Sequence, residues 1–391
     1  MDTGHDVGKR KTDLRLARLM AAQEPGREFT VAYRAPLLLL AFVSLFAGMA
    51  AGLARMGWPF PAPVAELAAL HGPLMASGFF GTVIGLERAV ALSQPWGYAG
   101  PLLTGLGAAL GILGAPYPIA PLLVAAGSAV LLATSVVFYR RQRELFTLTL
   151  ALGAACWVVG NSLWLARQPV YVAVPFWIGF LVLTIAAERL ELSRVLPPSA
   201  AARRVFVAAM VLLLAAMALA AFMWKAGTLL LGAGLLVLAV WLMRQDVARH
   251  TVKGRGLPRF IAVCLLTGYV WLALAGLAIL VSGGLGYGGA SYDIALHAVL
   301  LGFVFAMVFG HAPIILPAVL RVEVPYARYF YLPLALLHVS LLIRVMGDWM
   351  TWPQWRAWGG ALNGIALLAF VLGTIAAVLR GRSEKGVPLR S

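Results

Sequence analysis

The sequence predicts an all-α integral membrane protein of about twelve transmembrane helices. Three observations carry that expectation: its apolar balance, the recurrence of bilayer-length apolar runs, and basic clusters on alternate loops. Of 391 residues, 62% are apolar and 12% charged, too little polar surface to cover a water-soluble globule of this size. The formal charge of +16 sits in short clusters between apolar runs instead of forming one face. It therefore reports membrane orientation and argues against a nucleic-acid partner.

A hydrocarbon core about 30 Å thick needs roughly 20 apolar residues at 1.5 Å rise each. Runs of that order fall at 35–54, 66–92, 98–114, 118–138, 145–165, 170–188, 204–223, 226–243, 259–281, 292–319, 328–346 and 357–379. Charge tests this count, because an error of one helix would invert every later loop. Placing the N-terminal cluster from Lys9 to Arg34 inside also puts inside Arg140, Arg141 and Arg143, then Arg194, Arg203 and Arg204, the cluster Arg244 to Arg259, and the tail from Arg380 to Arg390. Only Arg55, Arg167, Lys225, Arg344 and Arg356 fall outside. The organisation expected is a basic cytoplasmic segment 1–34, one membrane domain 35–379 and a basic cytoplasmic tail 380–391, in a bacterial-type inner membrane.

The first 34 residues lack an early apolar stretch with a small-residue cleavage site, so the first helix is expected to be an uncleaved anchor. Trp349, Trp352, Trp355 and Trp358 recur every third residue before the last helix, as headgroup-level anchors do. Gly107 and Gly111 form a GxxxG that lets two helices approach closely. Cys156 and Cys264 lie inside apolar runs and read as small packed hydrophobes. The glycine-rich stretch Gly283 to Gly289 reads as a flexible outer connection.

Ionisable side chains inside a membrane are costly, so each is a candidate functional group unless it reaches a helix end. His71 opens the second helix near the outer face, and His297 sits one to two turns into the tenth from the same face. His311 lies fourteen residues further, about 21 Å along the axis, towards the inner face. His338 falls near the middle of the eleventh helix. A lone membrane histidine is often a hydrogen bond between helices, which is the competing reading for His338. Two at one depth on different helices are a stronger signal, because a neutral imidazole suits haem iron or copper. Met75, one turn below His71, is either a thioether ligand or a gap filler beside the ring.

A weak repeat supports the pairing. Gly78-Phe79, Gly179-Phe180 and Gly302-Phe303 precede Glu87, Glu188 and His311 by the same offset, nine residues from each glycine. These lie on helices 2, 6 and 10, which suggests three four-helix repeats around a pseudo-threefold axis. Glu87 and Glu188, followed by Arg88 and Arg189, then share a depth with His311 and form a possible polar cluster. A proton entry route or a second metal site are its functional readings, and mutually neutralising helix-end charges the alternative.

The sequence contains no GxxxxGK[ST], no strand-linked GxGxxG, no HExxH and no CxxCH, so a haem would be non-covalent. The spacing His71-x3-Met75-x2-Gly78-Phe79 resembles the NnrS family, and helix 10 adds to the likeness. That resemblance implies a twelve-helix membrane protein with haem and copper, linked to denitrification and nitric oxide tolerance. The sequence departs from the family where a second helix-2 histidine is expected, which is Pro73 here, and around His311, which sits in Phe-Gly-His-Ala-Pro. A looser similarity connects His71-Gly72 and Val304-Phe305-Ala306 to haem-copper oxidase subunit I. The copper-binding helix-6 segment and His-His pair of the active oxidases have no counterpart, which argues against dioxygen reduction at a binuclear centre.

The leading expectation is a membrane b-type haem protein whose iron is held by His71 and His297, with His338 and His311 as secondary metal candidates and copper as a further one. Nitric oxide, another gas or a redox partner would be its counterpart, and no enzymatic reaction is assigned. A twelve-helix secondary transporter, with Pro73, Pro313 and Pro317 breaking helices at its substrate site, is the alternative. A cofactor-free subunit scaffolding a respiratory enzyme is a third.

Overall fold

The computed structural model describes residues 30–195 and 197–386. The basic cluster within 1–29 and the last five residues of the expected tail lie outside the described residues. Among the described residues every regular element is a helix, and α1 to α12 run Val31–Arg55, Ala62–Leu92, Ala99–Ile112, Ile119–Arg141, Leu145–Leu165, Val170–Leu192, Ala200–Ala220, Trp224–Gln245, Gly256–Val281, Ala290–Leu320, Arg328–Trp349 and Pro353–Gly386. Eleven of these are long and apolar enough to cross a membrane. The exception is α3, read from sequence as 98–114. It has 14 residues, which span about 21 Å. A 3-10 turn over Pro95–Tyr98 precedes it, and Gly114 at φ 74° turns the chain away before Pro116 and Pro118 can extend it. At the other end of the chain, α12 continues through Arg380 and Lys385 to Gly386, past the boundary expected at 379.

Local signals account for several starts. Glu144 and Thr147 form a reciprocal capping box at the head of α5, and Ser199 Oγ accepts from Ala202 N at 3.2 Å at the head of α7. The glycine-rich connection between α9 and α10 is not loose. Leu285 is buried in it, its N–H donates to Thr228 Oγ1 at 3.0 Å, and its carbonyl accepts from Trp224 Nε1 at 2.7 Å.

Each helix packs on its neighbours in sequence, and the second helix of each successive group of four turns to the centre. There α6 touches both α2 and α10, and α10 touches α2. Enclosure follows this arrangement: 78% of the apolar window of α6 is buried and 61% of that of α10, against 33% for α4, α7 and α12. The outer succession closes where α12 meets α1. Gly107 lets α3 lie on α4, since a Cβ there would stand 2.9 Å from Ala120 O.

The central helices are irregular at one register. In α2, residues Leu74–Gly81 are π-helical, and in α10 so are Ala298–Phe305. Each segment begins four residues before the glycine of its Gly-Phe pair. In α6 the corresponding position, four before Gly179, is Pro175 inside an otherwise α-helical run. π-Helical turns of this kind concentrate at functional sites because they re-aim the side chains on either side.

Candidate functional site

The two π segments bring His71 and His297 together. Their ring centroids are 6.3 Å apart and their planes 20° apart. His71 Nδ1 donates to Gly48 O at 2.7 Å, and His297 Nδ1 donates to Asp293 O at 2.9 Å. A carbonyl only accepts, so both rings carry the proton on Nδ1 and keep the Nε2 lone pair. Histidines that ligate a metal through Nε2 commonly donate Nδ1–H to a carbonyl in this way, which fixes the tautomer and the ring's orientation. Two imidazoles sharing one metal at a bond of about 2.0–2.1 Å place their centroids roughly 6 Å apart.

Asp293 holds this end of α10. Its carboxylate receives Arg344 Nε at 2.7 Å and Nη2 at 2.8 Å, a bidentate pair between α10 and α11. Arg356 reaches Asp293 at 3.6 Å and Asp348 at 3.1 Å. Arg344 and Arg356 were both counted from sequence as outer charges. Arg344 is only 7% exposed, and its partner Asp293 only 8%.

Both rings line a cavity bounded by α1, α2, α10, α11 and α12. The cavity measures about 60 Å³, and its atom-free space including open solvent at the mouth about 600 Å³. Phe80 and Phe305, in contact at 4.9 Å, are part of its wall. Glycines clear space for the sulfur side chains. A Cβ at Gly48 would meet Met75 Sδ at 2.7 Å, and one at Gly360 would meet Met56 Cε at 2.1 Å. A Cβ at Gly52 would strike His71 Cε1 at 2.7 Å, so this ring seats only against a glycine. Met49, Met56, Gly360, Gly364 and Arg344 were not read as site residues from the sequence. The i, i+4 pairs Gly48/Gly52 and Gly360/Gly364, and Asp293 four before His297, are the signals that could have found them.

The other candidates lie elsewhere. His338 accepts from Trp271 Nε1 at Nδ1 (3.0 Å) and donates from Nε2 to Thr267 Oγ1 (2.9 Å), so both nitrogens serve a bond between α11 and α9. This is the interhelical reading, and it leaves no lone pair for a metal. His311 donates from Nδ1 to Met307 O at 2.8 Å and interacts electrostatically with Glu87. The inner polar group divides in two. Arg88 pairs with Glu188 across α2 and α6 and lies 3.6 Å from Glu87. Arg189 faces Asp246 instead, at 3.5 Å, where that carboxylate also accepts from Tyr269 OH at 2.5 Å and caps Ala248 N at 2.7 Å. Among the described residues no group of three or more His, Cys, Asp or Glu side chains is arranged to hold a metal ion. Cys156 and Cys264 are free and buried.

The residues present fit the axial ligation of a haem iron: two neutral imidazoles with Nε2 available, an apolar and aromatic wall, and a cation, Arg344, at the same depth. The cavity alone accepts a bare ion or a diatomic molecule, while a tetrapyrrole needs the mouth as well.

A family model described as a domain of unknown function (DUF8744) matches residues 34–379, and the chain belongs to that family. No curated protein and no solved structure matches it.

Proposed function

We propose that this member of the DUF8744 family is a membrane b-type haem protein of NnrS-like character, whose iron His71 and His297 would hold, acting in nitrogen-oxide or respiratory redox metabolism. One observation carries the reading: two half-buried imidazoles from different helices stand with ring centroids 6.3 Å apart, each with Nδ1 engaged by a carbonyl. An iron held by two histidines supplies one-electron transfer.

The protein's own groups then have distinct tasks. Gly48 O and Asp293 O fix the tautomer and swing of the two rings. Gly52 gives the His71 ring its seat. Arg344 offers a positive wall to an acidic substituent of the cofactor, while Asp293 neutralises it within the bilayer. Phe80 and Phe305 contribute to a wall that excludes water.

Copper is a second reading, favoured by the methionines. Met49, Met56 and Met75 line the same cavity as the histidine pair, and soft thioethers select Cu(I). A bare ion also fits the cavity without displacing a side chain.

A reduced-minus-oxidised visible spectrum of the purified protein, with a pyridine haemochrome assay and metal analysis on one sample, decides between them. A stoichiometric b-type signal supports haem. Copper without haem supports the second reading, and neither group after expression with ample haem and copper removes both.

A further inference from the structure

We infer that the histidine pair is loaded sideways: its planar cofactor, apolar but for its acidic edge, enters from the bilayer through the seam between α12 and α1. The inference rests on the haem reading above.

The three four-helix groups meet at three joints, and these are not alike. At α8–α9 the backbones themselves meet, since a Cβ on Gly276 would stand 2.6 Å from Gly232 O and one on Gly232 would stand 2.9 Å from Gly276 O. The α4–α5 joint is also packed along its length. At α12–α1 the helices barely touch, and the glycines there face the ends of flexible side chains. The hollow of Gly360 is filled by the Met56 thioether, and Gly364 meets Met49 Cε at 3.5 Å. Methionine has three rotatable bonds and a low cost of rearrangement, so this joint is plugged by side chains where the α8–α9 joint is closed by backbone.

The cavity holding the two imidazoles lies behind that plug, with Met49, Gly52 and Met56 on one side and Gly360, Gly364 and Leu367 on the other. The outer end of the seam is tied. Trp58 Nε1 donates to Ala357 O at 3.2 Å, and its ring stands edge-on to Trp358 at 5.1 Å. Below that tie, the flanks of α1 and α12 present Phe46, Ile365 and Leu368 outward, an apolar surface of the kind lipid covers. The way in is therefore from the hydrocarbon and not from the water above it. A tetrapyrrole entering from this side reaches the imidazoles once the methionine plug swings aside into the rest of the cavity.

The test uses the full chain, purified without haem and reconstituted in lipid nanodiscs. A nitroxide at Leu53→Cys should be relaxed several-fold more by lipid-dissolved oxygen than by an aqueous nickel chelate; the opposite order overturns lateral entry. In the double variant Met49→Cys/Gly364→Cys, a short reversible thiol cross-linker should block uptake of added haemin. Reductant should then restore uptake, and cross-linking after loading should leave the spectrum in place. Equal uptake by the open and cross-linked forms sinks the seam while leaving the haem assignment standing. Failure of both forms to take up haem, with the wild-type chain failing too, removes the haem reading itself.

Discussion

His71 and His297 stand ring to ring at 6.3 Å, yet they are not equivalent positions of the repeat. His71 precedes Gly78 by seven residues, and His297 precedes Gly302 by five. The repeat aligns the two π segments, and the histidines occupy different repeat positions with different Nδ1 partners, the carbonyl of another helix for His71 and of its own helix for His297. Symmetry builds the frame, and the departure from symmetry builds the pair.

Loss of either ring should abolish ligation. His71→Ala and His297→Ala are each expected to lose the b-type absorbance and to lower the haem-to-protein ratio. Both variants keeping an unaltered spectrum would exclude the pair as axial ligands.

His338 should behave differently. Its removal in His338→Ala strands the Trp271 N–H inside the bundle, which is expected to cost about 1–3 kcal/mol of stability. Thermal unfolding in detergent would fall while the visible spectrum stays put. A shifted spectrum with unchanged stability would return His338 to the list of ligands.

Asp293 joins the site to the scaffold. Asp293→Ala leaves the Arg344 guanidinium buried without its bidentate partner, a change of about 3–5 kcal/mol. The His297 ring keeps its acceptor Asp293 O and loses only the carboxylate oxygen 3.3 Å from Nδ1, so cofactor binding should weaken far less than in His297→Ala. The double variant Asp293→Asn/Arg344→Gln should recover part of the stability. A double variant less stable than the single one contradicts this account.

Gly81 tests the packing of the central helices. A Cβ there would lie 2.1 Å from Trp157 Cζ2, so Gly81→Ala must move an indole that is fully buried and donates to Ser77 Oγ at 2.9 Å. The expected loss is about 1–3 kcal/mol, read as a lower unfolding temperature. Wild-type stability would mean that the α2–α5 contact is looser than described.

Depth along the membrane was legible in the sequence, because a fixed 1.5 Å rise turns residue number into height. That is why His71 and His297 could be placed at one level and His311 well below them. Azimuth was not legible. Whether a residue on an apolar helix faces lipid, a neighbour or the centre depends on packing, and these helices are apolar all round. For that reason the thioether and glycine walls from α1 and α12 went unseen, as did the cross-helix partner of Arg344. The split of Arg189 from Arg88 has the same origin, since adjacent residues point about 100° apart around the axis. The π segments carry no periodic signature in Leu74–Gly81 or Ala298–Phe305, whose residues are almost uniformly apolar or small.

The brevity of α3 reaches beyond the protein. Its apolar surface, with Leu102 and Leu106 each over 40% exposed and Leu113 at 80%, is offered to lipid over only 14 residues. A helix about 21 Å long in a hydrocarbon layer about 30 Å deep leaves a mismatch of roughly 9 Å, which the surrounding acyl chains take up by thinning. A bilayer of that depth is therefore expected to thin into a local dent beside the first four helices. Such a dent costs least in thin membranes and draws together neighbours that share it, so lateral sorting is written into one short helix.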